Sequence, residues 1–254
     1  MTSTETTSKS LIYELKGLSF IIHYRKDSED REQNLRRILK FLRSNFIAEI
    51  VVVNDERNID NPPTWIKEWA NQLLICHNDD EFRKSHCYNK AASKAKGDIL
   101  CFWDVDVMVD PKFVWESYLK LDRGECDHIY PFNGTFIDVQ KSRFSLLENN
   151  HFNILNCLLE DKSEDLHFAS GESPGGCNMI TREAFDKIGG YDHRFIGWGF
   201  EDTDFMQRSK RGNSVSRIMD NDAICWHFHH DAIRTENPHY MRNLQIYNEN
   251  VNRL

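Results

Sequence analysis

Asp104 and Asp106 stand one residue apart at the end of an apolar run, Asp98–Asp104 (DILCFWD). Side chains two apart on an extended chain share a side, so the two carboxylates repel one another unless a cation joins them. The plainer reading is a loop whose acids cap the next turn or face water. Further on, Cys225-Trp226-His227-Phe228-His229-His230 packs three imidazoles into four positions. Neutral imidazole suits Mn, Fe and Zn, whereas carboxylates suit Mg and Mn, so a site mixing them points to manganese, with magnesium as the alternative. A surface histidine cluster is the competing reading. In Gly197-Trp198-Gly199-Phe200-Glu201-Asp202, two glycines let the backbone turn closely under a ligand. An indole beside two acids suits a sugar: the ring stacks on the sugar face while carboxylates accept hydroxyl hydrogen bonds. Of the adjacent acids, one can orient hydroxyls and the other remove a proton. Acids at a helix N-terminus also favour the dipole, which does not account for Trp198.

These residues need a scaffold, and the first half of the chain supplies strand–helix alternation. Leu18–Tyr24, Glu49–Asp55, Gln72–His77 and Asp98–Asp104 read as short buried strands. Leu35, Ile38, Leu39, Leu42 and Phe46 mark one helix face, and Ala91, Ala92 and Ala95 suit a helix over Lys84–Lys96. The pattern predicts an α/β fold with a largely parallel sheet covered on both faces, and a ligand at the carboxyl ends of its strands. Those ends carry His23-Tyr24-Arg25, Asn54-Asp55-Glu56 and Asp104-Val105-Asp106, a mixture of acid and base suited to a nucleotide and a metal. In the second half, Ser142–Leu159 reads as helical and Glu160–Ser173 as a surface loop. A short strand follows over Cys177–Thr181, with Thr181 placed to cap a helix over Arg182–Ile188 that stops at Gly189-Gly190. A further helix ends near Gly212, and the tail from Pro238 is helical through Met241, Leu244, Tyr247 and Val251.

The 254 residues hold 32 Lys+Arg against 40 Asp+Glu, a net charge of −8, which argues against binding a nucleic-acid polymer. Seven scattered cysteines without a C-x-x-C pair fit neither a disulfide framework nor a zinc ribbon. The start, MTSTETTSKS, lacks the apolar stretch of a signal peptide, and no transmembrane segment is expected. The expected location is the cytoplasm, and glycolipid acceptors could hold the chain at the inner membrane face.

The motifs, in order, are FIIHYR (Phe20–Arg25), VVVND (Val51–Asp55), FRKSHCYNKA (Phe82–Ala91), DVD (Asp104–Asp106), GGCNMITREAFDKIGGYD (Gly175–Asp192), GWGFEDTDF (Gly197–Phe205), WHFHH (Trp226–His230) and ENP (Glu236–Pro238). This series resembles the metal-dependent GT-A glycosyltransferases, within them the group of the β-1,4-galactosyltransferases and bacterial chondroitin-type polymerases. The resemblance implies one GT-A domain, with a nucleotide-sugar half over about 15–110 and an acceptor half over about 111–254. It places Asp106, His227 and His230 at the metal, His227 first, with the choice among His227, His229 and His230 open. Asp104 would face the donor ribose or metal-bound water. Arg25 and Lys84 fall at the diphosphate, Asp55 and Phe82 at the uridine, Gly176 against the donor, and Trp198 between donor and acceptor. Asp202 falls at the catalytic base of the inverting enzymes, with Glu201 at donor or acceptor hydroxyls. The retaining polypeptide N-acetylgalactosaminyltransferases lack this Glu-Asp pair. Two features depart from the pattern: His193 stands where many relatives have an acid, and Ser173 where galactose-specific relatives have a bulky aromatic. A small serine leaves room for an N-acetyl group.

The expected function is therefore inverting transfer of a hexose or N-acetylhexosamine from a UDP-sugar to a hydroxyl of a glycan or glycolipid. The product is β-linked, in bacterial capsule or lipopolysaccharide synthesis. Acceptor contacts are expected from Phe132–Ser173. The alternatives are a non-catalytic nucleotide-sugar or glycan-binding module and a sugar nucleotidyltransferase, which the missing glycine-rich phosphate loop disfavours.

Overall fold

The computed structural model describes residues 12–56, 63–77, 81–145, 166–169, 173–230 and 237–252. Its first half is built on β1 (Tyr13–Tyr24), α1 (Glu29–Asn45), β2 (Phe46–Glu56), β3 (Gln72–His77), α2 (Lys84–Ala92) and β4 (Ile99–Asp104). Then come β5 (Val107–Val109), α3 (Pro111–Asp122), β6 (His128–Tyr130), β7 (Phe136–Val139), β8 (Leu166–Ala169) and β9 (Cys177–Thr181). The chain continues through a helix over Arg182–Lys187, another over Glu201–Gly212, β10 (Val215–Arg217), β11 (Cys225–Phe228) and a final helix over Tyr240–Asn252.

The main sheet has seven strands in the order β10-β6-β9-β4-β1-β2-β3, and β4, β1, β2 and β3 run parallel. Alternation along these strands feeds two cores. Phe20 and Ile22 face Leu35, Ile38, Leu39 and Leu42 of α1, while Ile21, Val51 and Val53 face Cys87 and Ala91 of α2. Both faces are covered, so the strands read as continuous apolar runs, as a buried parallel sheet requires. Truncating one of these side chains, such as the fully buried Leu39, to alanine would cost about 2–5 kcal/mol. Strand β9 enters antiparallel between β4 and β6 and brings Gly175-Gly176 to the end of β4. A second sheet, β5-β11-β7-β8, stands beyond the carboxyl end of β4 and carries the histidine segment.

Several boundaries differ from expectation. Phe46 opens β2 instead of closing the face of α1, and α2 ends at Ala92 instead of Lys96. The segment read as a loop contains β8, which pairs antiparallel with β7. Of the helix expected over Ser142–Leu159, only residues up to Ser145 lie among those described. The final helix does form, but it buries Asn243, Ile246 and Asn250, and Met241 is 71% exposed.

Candidate active site

Val105 is buried beneath the Asp104–Asp106 turn. The turn is tied across to the second sheet by a hydrogen bond from the Phe228 amide to the Asp106 carbonyl, 2.7 Å. This places Asp106 beside the end of β11. His230 Nε2 lies 3.1 Å and His227 Nε2 3.8 Å from Asp106 Oδ2, and ligating atoms of all three residues lie within 4.8 Å of one another. Of the three candidate histidines, His227 and His230 fall in this group with Asp106, and His229 does not. His227 faces Asp138 across the parallel β11–β7 register, and its Nδ1 is 2.7 Å from Asp138 Oδ1. That carboxylate fixes the ring with Nε2 turned toward Asp106, as partners of metal-binding histidines do. Arg31 Nη1 donates to Asp106 Oδ2 at 2.5 Å. Burial acts to raise the Asp106 carboxyl, but Arg31 and the His230 hydrogen bond outweigh it and hold it well below the usual carboxylate range. A carboxylate held ionised beside two imidazoles is a donor set that fits manganese, with magnesium as the alternative.

Lys84 opens α2 and is buried among acids. Its Nζ lies 3.0 Å from Asp104 Oδ1, 3.1 Å from Asp202 Oδ2 and 3.9 Å from Glu201 Oε1. Burial disfavours the ammonium, yet Asp104, Asp202 and Glu201 together raise its pKa well above that of a free lysine. Burial pushes the Asp202 carboxyl up to about 7, with Lys84 opposing and Glu201 and Asp104 adding to the rise. Tyr88 donates to Asp104 Oδ1 at 2.9 Å. Lys84 thus stands between Asp104, beside the Asp106 group, and Asp202.

Arg25, Asp55 and Phe82 gather around His23 at the ends of β1 and β2. Asp55 is fully buried, 3.1 Å from His23 Nε2 and 3.7 Å from Arg25 Nη1. Arg25 also donates to the Glu81 carbonyl at 2.8 Å, and the Phe82 ring meets His23 edge-on at 5.0 Å between centroids. Gly176 holds φ +85°, and a Cβ there would come within 2.7 Å of the Phe136 ring. The adjacent Gly175 lies against Asp202 Oδ2 and Ser173 Oγ, which would be 3.2 and 3.9 Å from a Cβ built on it.

The Gly197–Phe200 turn is held open by the final helix. Gly197 and Gly199 take positive φ, and so does Phe200 at 69°, an unusual value for a side chain of that size. The turn packs against the final helix. Phe200 stacks on Tyr247 and tilts against Tyr240. The fully buried Asn243 donates to the carbonyls of Ile196 and Gly199 and accepts from the Ile196 amide. Asn237 donates to the Trp198 carbonyl. Glu201 Oε2 accepts the Gly199 amide at 2.9 Å, so Glu201 secures the turn as well as facing Lys84. Trp198 projects from the turn, 71% exposed.

Arg31, Asp138 and Asn243 belong to this site and lie outside every quoted motif, whereas His23 and Tyr88 lie within FIIHYR and FRKSHCYNKA without having been given a role. His23 had a signal, its place at a strand end. Arg31, Asp138 and Asn243 arrive through register and packing between distant segments.

The model of glycosyl transferase family 2 matches residues 20–189, and that of the N-terminal domain of galactosyltransferase matches residues 159–231. No curated protein matches the chain. Among solved structures, GalNAc-T7 with UDP, GalNAc and Mn2+ superimposes with a TM-score of 0.63 at 15% identity, over 95% of this chain and 48% of that one. TarS of S. aureus, residues 1–349 with UDP-GlcNAc, gives 0.58 at 13% identity, over 92% of this chain and 66% of that one. The chain therefore shares their GT-A architecture and spans about half the length of the GalNAc-T7 chain. No described helix is long and apolar enough to cross a membrane.

Proposed function

Because the chain belongs to glycosyl transferase family 2, whose model covers residues 20–189, we propose that it moves a hexose or N-acetylhexosamine from a UDP-sugar to a glycan or glycolipid hydroxyl, inverting the anomeric centre. The observation that carries this reading is Asp202. It is a largely buried carboxylate raised to about 7, beside Lys84 and Gly175 and on the same strand-end surface as the Asp106 cluster.

Asp106, His227 and His230 are the residues that would hold a divalent cation, manganese or magnesium. Such an ion supplies positive charge to the diphosphate leaving group. Arg25 brings a guanidinium to the same phosphates, Asp55 and Phe82 take the uridine, and Asp104 faces the ribose. Gly176 lies against the donor, its missing Cβ leaving room for the Phe136 ring behind it. Asp202 accepts the proton of the acceptor hydroxyl as that oxygen attacks the anomeric carbon from the face opposite the diphosphate. One displacement converts an α-linked donor into a β-linked product. A base near neutrality suits this task, since it is ionised at working pH yet still basic enough to take the proton. Lys84 keeps Asp202 ionised despite its burial, and Glu201 orients hydroxyls while bracing the turn that presents Trp198 to a sugar face.

The small Ser173 beside Gly175 supports an N-acetylhexosamine donor, and the GalNAc and UDP-GlcNAc held by GalNAc-T7 and TarS agree with that choice. In this reading the nucleotide-sugar and acceptor halves act as one domain, in cytoplasmic synthesis of bacterial capsule or lipopolysaccharide. UDP release from UDP-GlcNAc and UDP-GalNAc, with and without Mn2+ and with bacterial glycan acceptors, tests the reading. Metal-dependent, acceptor-stimulated release is expected. Nucleotide binding without release would instead identify a nucleotide-sugar-binding module.

A further inference from the structure

His23, Asp55, Cys76 and Cys87 converge from four elements at the carboxyl edge of the main sheet. Asp55 on β2 and Cys76 on β3 are register partners, and His23 pairs with Val53, two residues before Asp55. Partners across parallel strands point to the same face. His23, Asp55 and Cys76 therefore share the face that α2 covers, and α2 contributes Cys87 to it. Ligating atoms of His23, Asp55 and Cys87 lie within 4.8 Å of one another, and His23 Nε2 is 3.1 Å from Asp55. The Cys76 and Cys87 thiols are hydrogen-bonded to one another. All four groups are buried: Asp55 and Cys87 at 0%, Cys76 at 1% and His23 at 6% exposure.

The geometry points to a second metal site here, a zinc-type set of two cysteines, one histidine and one aspartate, separate from the Asp106 centre. Tetrahedral zinc with sulfur, nitrogen and oxygen ligands needs donor atoms about 3.3–3.8 Å apart; His23, Asp55 and Cys87 form the compact trio, and Cys76 joins it from beside Asp55 on the neighbouring strand. Two thiols make the set soft, whereas Asp106, His227 and His230 offer only oxygen and nitrogen, so the two sites sort metals by ligand type. Binding of M2+ releases the two thiol protons and leaves two metal–thiolate bonds. Asp55 binds as the carboxylate and His23 as neutral imidazole through Nε2, with its proton on Nδ1. Resting on the reading that Asp55 takes the uridine, the ion and UDP compete for the same carboxylate.

Cobalt is the probe, added to the full chain whose Asp106 centre is already filled with Mn2+. Cobalt at the new site gives a thiolate-to-metal charge-transfer band that an Asp-His-His centre cannot produce. Cys76→Ser and Cys87→Ser each weaken the band, the double variant abolishes it, and zinc displaces the cobalt. His23→Gln keeps both thiols and lowers cobalt affinity at least about tenfold, while Asp106→Asn leaves the band in place. Thermal melts without metal establish that each variant is folded. Absence of a thiolate band in the unmutated protein, or a band that survives in the folded double variant, overturns the site. UDP with magnesium should bleach the band. A band that persists while UDP binds keeps the metal site and removes Asp55 from the uridine pocket.

Discussion

Replacing Lys84 by glutamine should move the acid limb of the pH–rate profile. In the free protein, Asp202 has its pKa near 7 with the Lys84 ammonium 3.1 Å away. Two unit charges at 3.1 Å attract by about 5 kcal/mol at an effective dielectric constant of 20 and by about 1.3 kcal/mol in bulk water. At 1.36 kcal/mol per pH unit, even the lower figure raises the Asp202 pKa by about one unit, to about 8. Asp104 and Glu201, left without the cation, push in the same direction. Because the base must be ionised to accept a proton, kcat/KM rises through the Asp202 pKa and levels off above it. This parameter reports ionisations of the free enzyme, the state described here. Sugar-transfer rates measured between pH 5.5 and 9.5 should therefore give a limb near 7 for the unmutated chain and for Lys84→Arg. Lys84→Gln should give a limb displaced upward by at least about one unit. A limb that stays near 7 in Lys84→Gln would refute both the pairing and the assignment of Asp202 as base.

Asp202→Asn should retain UDP affinity and lose transfer by about 10²–10⁴-fold, measured as product formed per bound UDP. Asp106→Ala should abolish the Mn2+ dependence of UDP binding in calorimetry, since it removes the anionic member of the ligand trio. Asn243→Leu strands the Ile196 amide and carbonyl and the Gly199 carbonyl, and should lower stability by about 2–4 kcal/mol in urea unfolding, with transfer falling as the turn loosens.

The parts of this molecule legible in sequence are those set by local chemistry. Ile21, Val51 and Val53 mark buried parallel strands because both faces are covered, and the Thr181 side chain caps the next helix as its type predicts. Asp104, Asp106, His227 and His230 stood out by residue type and spacing. What was hidden depends on pairings between distant segments. Nothing in Phe136–Val139 alone says that Asp138 will sit opposite His227, because only the β7–β11 register decides it. Arg31 reaches Asp106 from the first turn of α1, 75 positions away in the chain. The final helix misled for a different reason. Its buried side is polar, since Asn243 and Asn250 satisfy buried groups on the active-site turn and on Asp192 and Asp204, so an apolar stripe was the wrong guide.

The most direct test of the account is the anomeric configuration of the product made from α-linked UDP-GlcNAc or UDP-GalNAc with Mn2+, read by the proton NMR coupling of the transferred sugar. Single displacement driven by Asp202 predicts a β-linked product and a large diaxial coupling at the anomeric proton. An α-linked product would contradict the account.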